Sequence, residues 1–228
     1  VPGMLAHVPP GGLHFTPGFL LDGVTSRYVP TYIRGELDPA RPGRRATLRV
    51  PPRTLAFINA SQPGYVLSGV FDNPNGVREP NEMYNSVLQS VDVVIGEGNA
   101  GAVGVRWRGA QGTGLEDVTV RFEGRGVNDG LVGIVGGAGS GGAHHGVRVE
   151  GGRYGLDFRQ GQPSATLTRA TLVNQSCGAI LYEGYEALTA VGLVVSGLKG
   201  CVAVSSGFPV PLPPAGDACS LPSMSNGD

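Results

Sequence analysis

Residues 145–161 read HGVRVEGGRYGLDFRQG. Two runs of alternating apolar and polar residues, HGVRVEGG (145–152) and YGLDFRQG (154–161), flank a glycine corner. Alternation with a period of two is the pattern of a strand with one buried face. Glycine supplies the positive φ of a sharp turn. Neither run repeats at 3.6 residues, so the stretch reads as strand, corner, strand.

Laying similar runs over one another exposes a repeat. SVDVVIG (90–96), LEDVTVRF (115–122), HGVRVEGG (145–152), LTRATLVNQ (167–175) and LTAVGLVVSG (188–197) form one series. With Val91, Val118, Val147, Ala170 and Val191 taken as equivalent, it steps by 27, 29, 23 and 21 residues. AVGVRWRG (102–109), GLVGIVGG (130–137), YGLDFRQG (154–161), GAILYEG (178–184) and CVAVSSG (201–207) interleave with it. There Val105, Val132, Leu156, Ile180 and Val202 step by 27, 24, 24 and 22. Two strand series with one period predict an all-β fold: a single-stranded parallel β-solenoid whose stacked coils of 21–29 residues share a column of inward Val, Leu and Ile. The L-x-x-L-x-L-x-x-N pattern of a leucine-rich repeat is absent.

The expected domain runs over residues 1–207. Irregular opening coils occupy 1–90 (TYIRGE, ATLRVP, TLAFINA and YVLSGVF among them), and regular coils occupy 91–207. DNPNGVREPNEMYN (72–85) is a long polar excursion of the kind that carries function. Residues 208–228 are rich in proline and serine and read as a tail or cap.

Composition bounds the function. Of 228 residues 39 are glycine, without a G-X-Y period, so collagen is excluded. A hydrophobic fraction of 40% with 15% charged residues argues against disorder. The net charge of −1 points away from nucleic acid, and no apolar run is long enough to span a membrane. Cys177, Cys201 and Cys219 form no CxxC pair, which argues against zinc and leaves the pairing open. The cations are sixteen arginines and one lysine, Lys199.

GIVGGAGSGGAHHG (133–146) contains G-x-G-x-x-G at Gly137, Gly139 and Gly142. A dinucleotide loop must follow a strand and open a helix. Here the motif precedes a strand, so it reads as a corner between coils. His144 and His145 are adjacent, and adjacent strand residues point to opposite faces. One is expected inside and the other exposed, with a general acid or base as the alternative role.

The runs MYNSVLQSVDVVIGEGNAGAVGVRWRGAQGTGLEDVTV and GLVGIVGGAGSGGAHHGVRVEGGRYGLDFRQGQPSATLTRATLVNQS resemble the pectin-lyase-like right-handed β-helix superfamily. They are most similar to the pectate lyase superfamily domain of bacterial polysaccharide lyases and β-1,3-glucanase-like proteins. The resemblance covers residues 83–197 well and 8–60 loosely. It implies a right-handed helix, a polysaccharide as partner, and a secreted or periplasmic location. The G-D-G-x-x-D-D opening of such domains is absent here, which implies a truncated or unusual start. No cofactor is expected. Calcium is possible, as in some pectate lyases, but no aspartate cluster marks a site.

Three functions follow as expectations. A polysaccharide lyase acting on a uronate-containing glycan needs a cation for the carboxylate, a base for the C5 proton and an acid for the leaving oxygen. If Val103, Val105 and Trp107 face inward, Arg106 and Arg108 face out, joined by Arg159 and Asp157 from a later coil. These would hold the glycan, with His144 or His145 as base and Tyr182 or Tyr154 as acid. A glycoside hydrolase needs two carboxylates, and Glu183 with Asp157 is the candidate pair. Tyr182, Glu183, Tyr185 and Glu186 form an aromatic-acidic turn that can serve as a sugar subsite or as an ordinary capped turn. The third expectation is a glycan-binding or structural module without catalysis. Arg121, Arg148 and Glu150 read as sign-balanced solvated surface.

Overall fold

The computed structural model describes residues 30–36, 40, 45–69, 83–124, 126, 129–159, 166–182, 187–199 and 219, with the backbone of short strands at 5–7, 13–15, 19–21, 26–28 and 204–206. The described chain is almost entirely β and holds three parallel sheets. Sheet I contains β1 (Leu5–His7), β6 (Ala46–Val50), β9 (Val91–Ile95), β12 (Thr119–Phe122), β15 (Arg148–Glu150), β18 (Thr171–Val173) and β21 (Val194–Ser196). Sheet II contains β2 (Leu13–Phe15), β7 (Gly64–Gly69), β10 (Ala102–Trp107), β13 (Val132–Val135), β16 (Tyr154–Asp157), β19 (Gly178–Tyr182) and β22 (Val204–Ser206). Sheet III contains β5 (Tyr32–Arg34), β8 (Val87–Gln89), β11 (Gly114–Glu116), β14 (His144–His145), β17 (Thr166–Thr168) and β20 (Thr189–Val191). From β8 onward the chain visits sheets III, I and II in rotation, so each strand pairs with the strand three places on. The two strands β3 (Phe19–Leu21) and β4 (Ser26–Tyr28) form a separate antiparallel pair.

Each round thus holds three strands, where the sequence read as at least two. The missed strand is two or three residues long and is divided from sheet I by a short left-handed corner. That corner falls at Ser90 (φ 55), Asp117 (φ 53), Gly146 (φ 63), Arg169 (φ 54) and Gly192 (φ 67). LEDVTVRF is therefore β11, a corner and β12, not one strand. TLAFINA, read as an opening strand, holds a 3-10 turn over Leu55–Phe57.

The core is fed by one row from each sheet. Val93, Val120, Val149 and Leu172 come from sheet I, Leu67, Val105, Ile134, Leu156 and Ile180 from sheet II, and Leu88, Leu115 and Leu167 from sheet III. Burying each such side chain contributes roughly 1.5–3 kcal/mol. Sheets I and II approach closely along a glycine row. A Cβ on Gly104 or Gly133 would lie 2.4 Å from a methyl of Val120 or Val149.

The registers correct the alignment at three residues, Val132 and Val202 in one series and Val191 in the other. In sheet II, Val105 matches Ile134, Leu156, Ile180 and Val204, so Val132 matches Val103 and the steps are 29, 22, 24 and 24. In the other series Val191 belongs to sheet III beside Thr168. All three are slips of two residues, the shift that a strict alternation cannot reveal. Val103 lies outside the main core, in a second apolar cluster on the outer side of sheet II, because Gly104 interrupts the alternation. Of the expected tail, 208–228, only Cys219 is among the described residues.

The glycines of GIVGGAGSGGAHHG serve close approach. A Cβ on Gly139 or Gly142 would lie 2.0 or 2.1 Å from the carbonyl oxygen of Ala110 or Thr113, in the loop of the preceding round. The motif is a corner without a helix.

Candidate functional site

The outer face of sheet II gathers most of the candidate residues. Ser68, Arg106, Val135, Asp157 and Leu181 form one row across β7, β10, β13, β16 and β19. Arg106 and Asp157 are two strands apart, about 10 Å along the row. Arg106 is 3% exposed, and its guanidinium carbon sits 4.8 Å from the centre of the Tyr65 ring. Asp157 is 4% exposed and holds Arg159 in a fork: Arg159 Nη2 donates to Oδ2 at 2.8 Å and Nε to Oδ1 at 3.0 Å. The backbone N–H of Arg159 also donates to Oδ1, at 3.1 Å.

Arg108 follows the end of β10 and lies against Gly136, where a Cβ would meet its Cγ at 2.4 Å. Burial pushes the Arg108 guanidinium down to about 10, and the charge of Arg106 pushes the same way. Asp157 and Tyr65 oppose the shift. Three guanidinium groups and one carboxylate thus share a face largely withdrawn from water, where their fields are strong.

The same face carries Tyr154 and a disulfide. Cys177 and Cys219 are bonded, with Cα atoms 5.4 Å apart. The Tyr154 hydroxyl donates to the Cys219 carbonyl oxygen. Cys219 packs on the second apolar cluster with Tyr65, Val103, Val132, Val135 and Leu181. Tyr65 and this pairing were not found in the sequence. Tyr65 stands 41 residues before Arg106 in the chain, and three cysteines allow several pairings.

The histidines are elsewhere. His144 is fully buried in the core row of sheet III, edge-on to Phe158 at 5.6 Å between ring centres. Its Nδ1 accepts from the Leu115 N–H at 3.2 Å, so Nε2 carries the proton that is shared with the Gly136 carbonyl at 2.9 Å. Burial holds its pKa down at about 4. His145 is exposed on the outer side of sheet III, with Nδ1 2.7 Å from the Thr168 hydroxyl. His144 thus meets the backbone of Gly136, against which Arg108 packs, but from inside the core, while His145 stands on sheet III. Tyr182 packs into the main core at 6% exposure. Glu183, Tyr185 and Glu186 lie outside the described residues, as does most of the 72–85 excursion.

A second feature lies where the sequence promised only solvated surface. A cleft of about 440 Å³ opens beside sheet I, lined by Arg121, Phe122, Glu123, Glu150, Asn174 and Lys199 with Gly124 and Gly151. Arg49 reaches across to Glu123 with a fork of 2.9 and 2.8 Å and holds that carboxyl below its usual range. Arg148 Nε donates to Glu150 at 2.5 Å. Among the described residues no group of three or more His, Cys, Asp or Glu is placed to hold a metal ion, and no helix is long and apolar enough to cross a membrane.

No known family model and no curated protein matches the chain.

Proposed function

We propose that the protein is a carbohydrate-active right-handed parallel β-helix of the pectin-lyase-like kind. On this reading it binds a uronate-containing glycan along the outer face of sheet II and acts on it as a polysaccharide lyase. The observation that carries the reading is the convergence of Arg106, Arg108 and Arg159 on one face, because a planar guanidinium matches a carboxylate in a fork. The rotation of the chain through three parallel sheets supports the helix. The sequence resemblance supports the substrate class. The Cys177–Cys219 bond supports a secreted or periplasmic location, since disulfides persist in oxidising compartments.

β-Elimination needs the uronate carboxylate neutralised while a base removes the C5 proton. Arg106 neutralises. Arg108, still a cation at neutral pH although burial holds it at about 10, adds its charge beside Arg106. Neither histidine is open on this face to take the C5 proton: His144 is enclosed in the core and His145 stands on sheet III. Asp157 is committed to Arg159 and orients it.

The test is incubation of the purified protein with polygalacturonate while ultraviolet absorbance of the unsaturated product is followed. Arg106→Gln and Arg108→Gln are each expected to lower kcat/KM by about 10²–10³-fold, and His145→Ala to leave it unchanged. Binding without a rise in absorbance would favour a non-catalytic glycan-binding module. Reducing ends released from a neutral glucan would favour the hydrolase instead. Absence of binding to any acidic glycan would overturn the assignment.

A further inference from the structure

We infer that the cleft beside sheet I is a second ligand site, separate from the outer face of sheet II, for a hydroxylated ring carrying an oxyanion. Its walls come from four successive rounds: Arg121, Phe122 and Glu123 at the end of β12, Glu150 on β15, Asn174 after β18 and Lys199 after β21. At one strand spacing per round this spans about 14 Å. The volume of about 440 Å³ lies in the range of small-molecule sites, roughly 300–1,000 Å³, and suits one or two sugar rings.

The charge pattern selects the ligand. Both carboxylates of the cleft are already engaged by arginines that do not line it. Arg49 grips Glu123 through both oxygens, and Arg148 takes one oxygen of Glu150. The two cations that do line it are Arg121 and Lys199, and both are exposed. Among the described residues neither makes an ion pair or a side-chain hydrogen bond; Arg121 only adds a weaker pull on Glu123. The cleft therefore offers a guanidinium fork and an ammonium to an incoming anion. Carboxylate, sulfate and phosphate groups suit either cation.

The remaining lining fits the ring. The Asn174 amide can both donate to and accept from hydroxyls, and the second Glu150 oxygen accepts. Phe122 closes the floor of the cleft, with its ring packed in the core. Gly124 and Gly151 carry no side chain that would fill the space. A ring without charge would gain only the hydroxyl contacts and would leave Arg121 and Lys199 unrewarded.

The experiment is isothermal titration of the whole protein with glucuronate, glucose 6-phosphate and glucose, repeated on Lys199→Ala and Arg121→Gln. Both side chains are exposed, so the variants are expected to fold, which circular dichroism checks. Glucuronate or glucose 6-phosphate, or both, should bind about tenfold more tightly than glucose, and each variant should lose about that factor. The comparison of the two anions tells whether the oxyanion is carboxylate or phosphate. Equal binding of all three sugars, unchanged binding in both variants, or no binding of any probe would each overturn the site. Loss of binding in Arg159→Ala alone would assign the anion to sheet II instead. That outcome would overturn this inference and leave the reading of sheet II standing.

Discussion

At the residue scale, His144 is a titratable group fully withdrawn from water. It is neutral inside the core, with both ring nitrogens hydrogen-bonded and its pKa near 4, against about 6.5 in the unfolded chain. Between those values the unfolded state binds the extra proton. Stability must therefore rise with pH across that window and fall on acidification from about 6.5 towards 4, with a slope approaching one proton. Urea midpoints measured from pH 7 to pH 4 should show the slope, and His144→Gln should flatten it. Arg169 offers the opposite case. It is exposed and held at φ 54, a left-handed conformation that costs a side chain with a Cβ roughly 1–2 kcal/mol. Arg169→Gly should raise the urea midpoint by the equivalent of about 0.5–1 kcal/mol, less than the full relief because glycine loosens the unfolded chain.

At the element scale, stability depends on how closely the sheets approach. The short third strand exists because one left-handed residue turns the chain from sheet III to sheet I in each of the five rounds from β8 onward. Glycine fills the corner twice and Ser90, Asp117 and Arg169 the other three times. Because the corner residue varies, no recurring glycine marked it in the sequence, and β11 with β12 read as one strand. The glycine row of sheet II is a stricter requirement. In Gly133→Ala the new methyl would meet a Val149 methyl at 2.4 Å and the Gly155 carbonyl oxygen at 2.7 Å. Overpacking of that kind costs about 1–3 kcal/mol, and thermal unfolding of the variant should read it directly.

At the scale of the whole molecule, the Cys177–Cys219 bond joins residues 42 apart and fixes residue 219 on the outer face of sheet II. By loop entropy alone its removal should cost about 4 kcal/mol. Unfolding followed with and without a dithiol reductant should show a loss of that order in wild type and none in Cys219→Ser. Since Tyr154 and Cys219 share the face with Arg106, reduction is also expected to change access to the arginines, which glycan titration under both conditions would read.

The all-β class, the parallel repeat and its period were legible in the sequence, because alternation and glycine corners recur at every round and local sterics alone dictate them. The outward side of Arg106, Asp157 and Arg159 was legible for the same reason, and so was the division of His144 and His145 between two faces. Register, enclosure and convergence were decided only by the tertiary structure. A two-residue slip is invisible to a strict alternation, and Gly104 breaks that alternation, so Val132, which pairs with Val103 outside the main core, could be matched to Val105 inside it. Whether an outward residue meets water depends on what lies over it, so the burial of Arg106 and Asp157 could not be read from alternation. The placement of Lys199 in one cleft with Arg121, 78 residues earlier in the chain, comes from stacking successive rounds, and no local pattern encodes which distant corners will line one cleft.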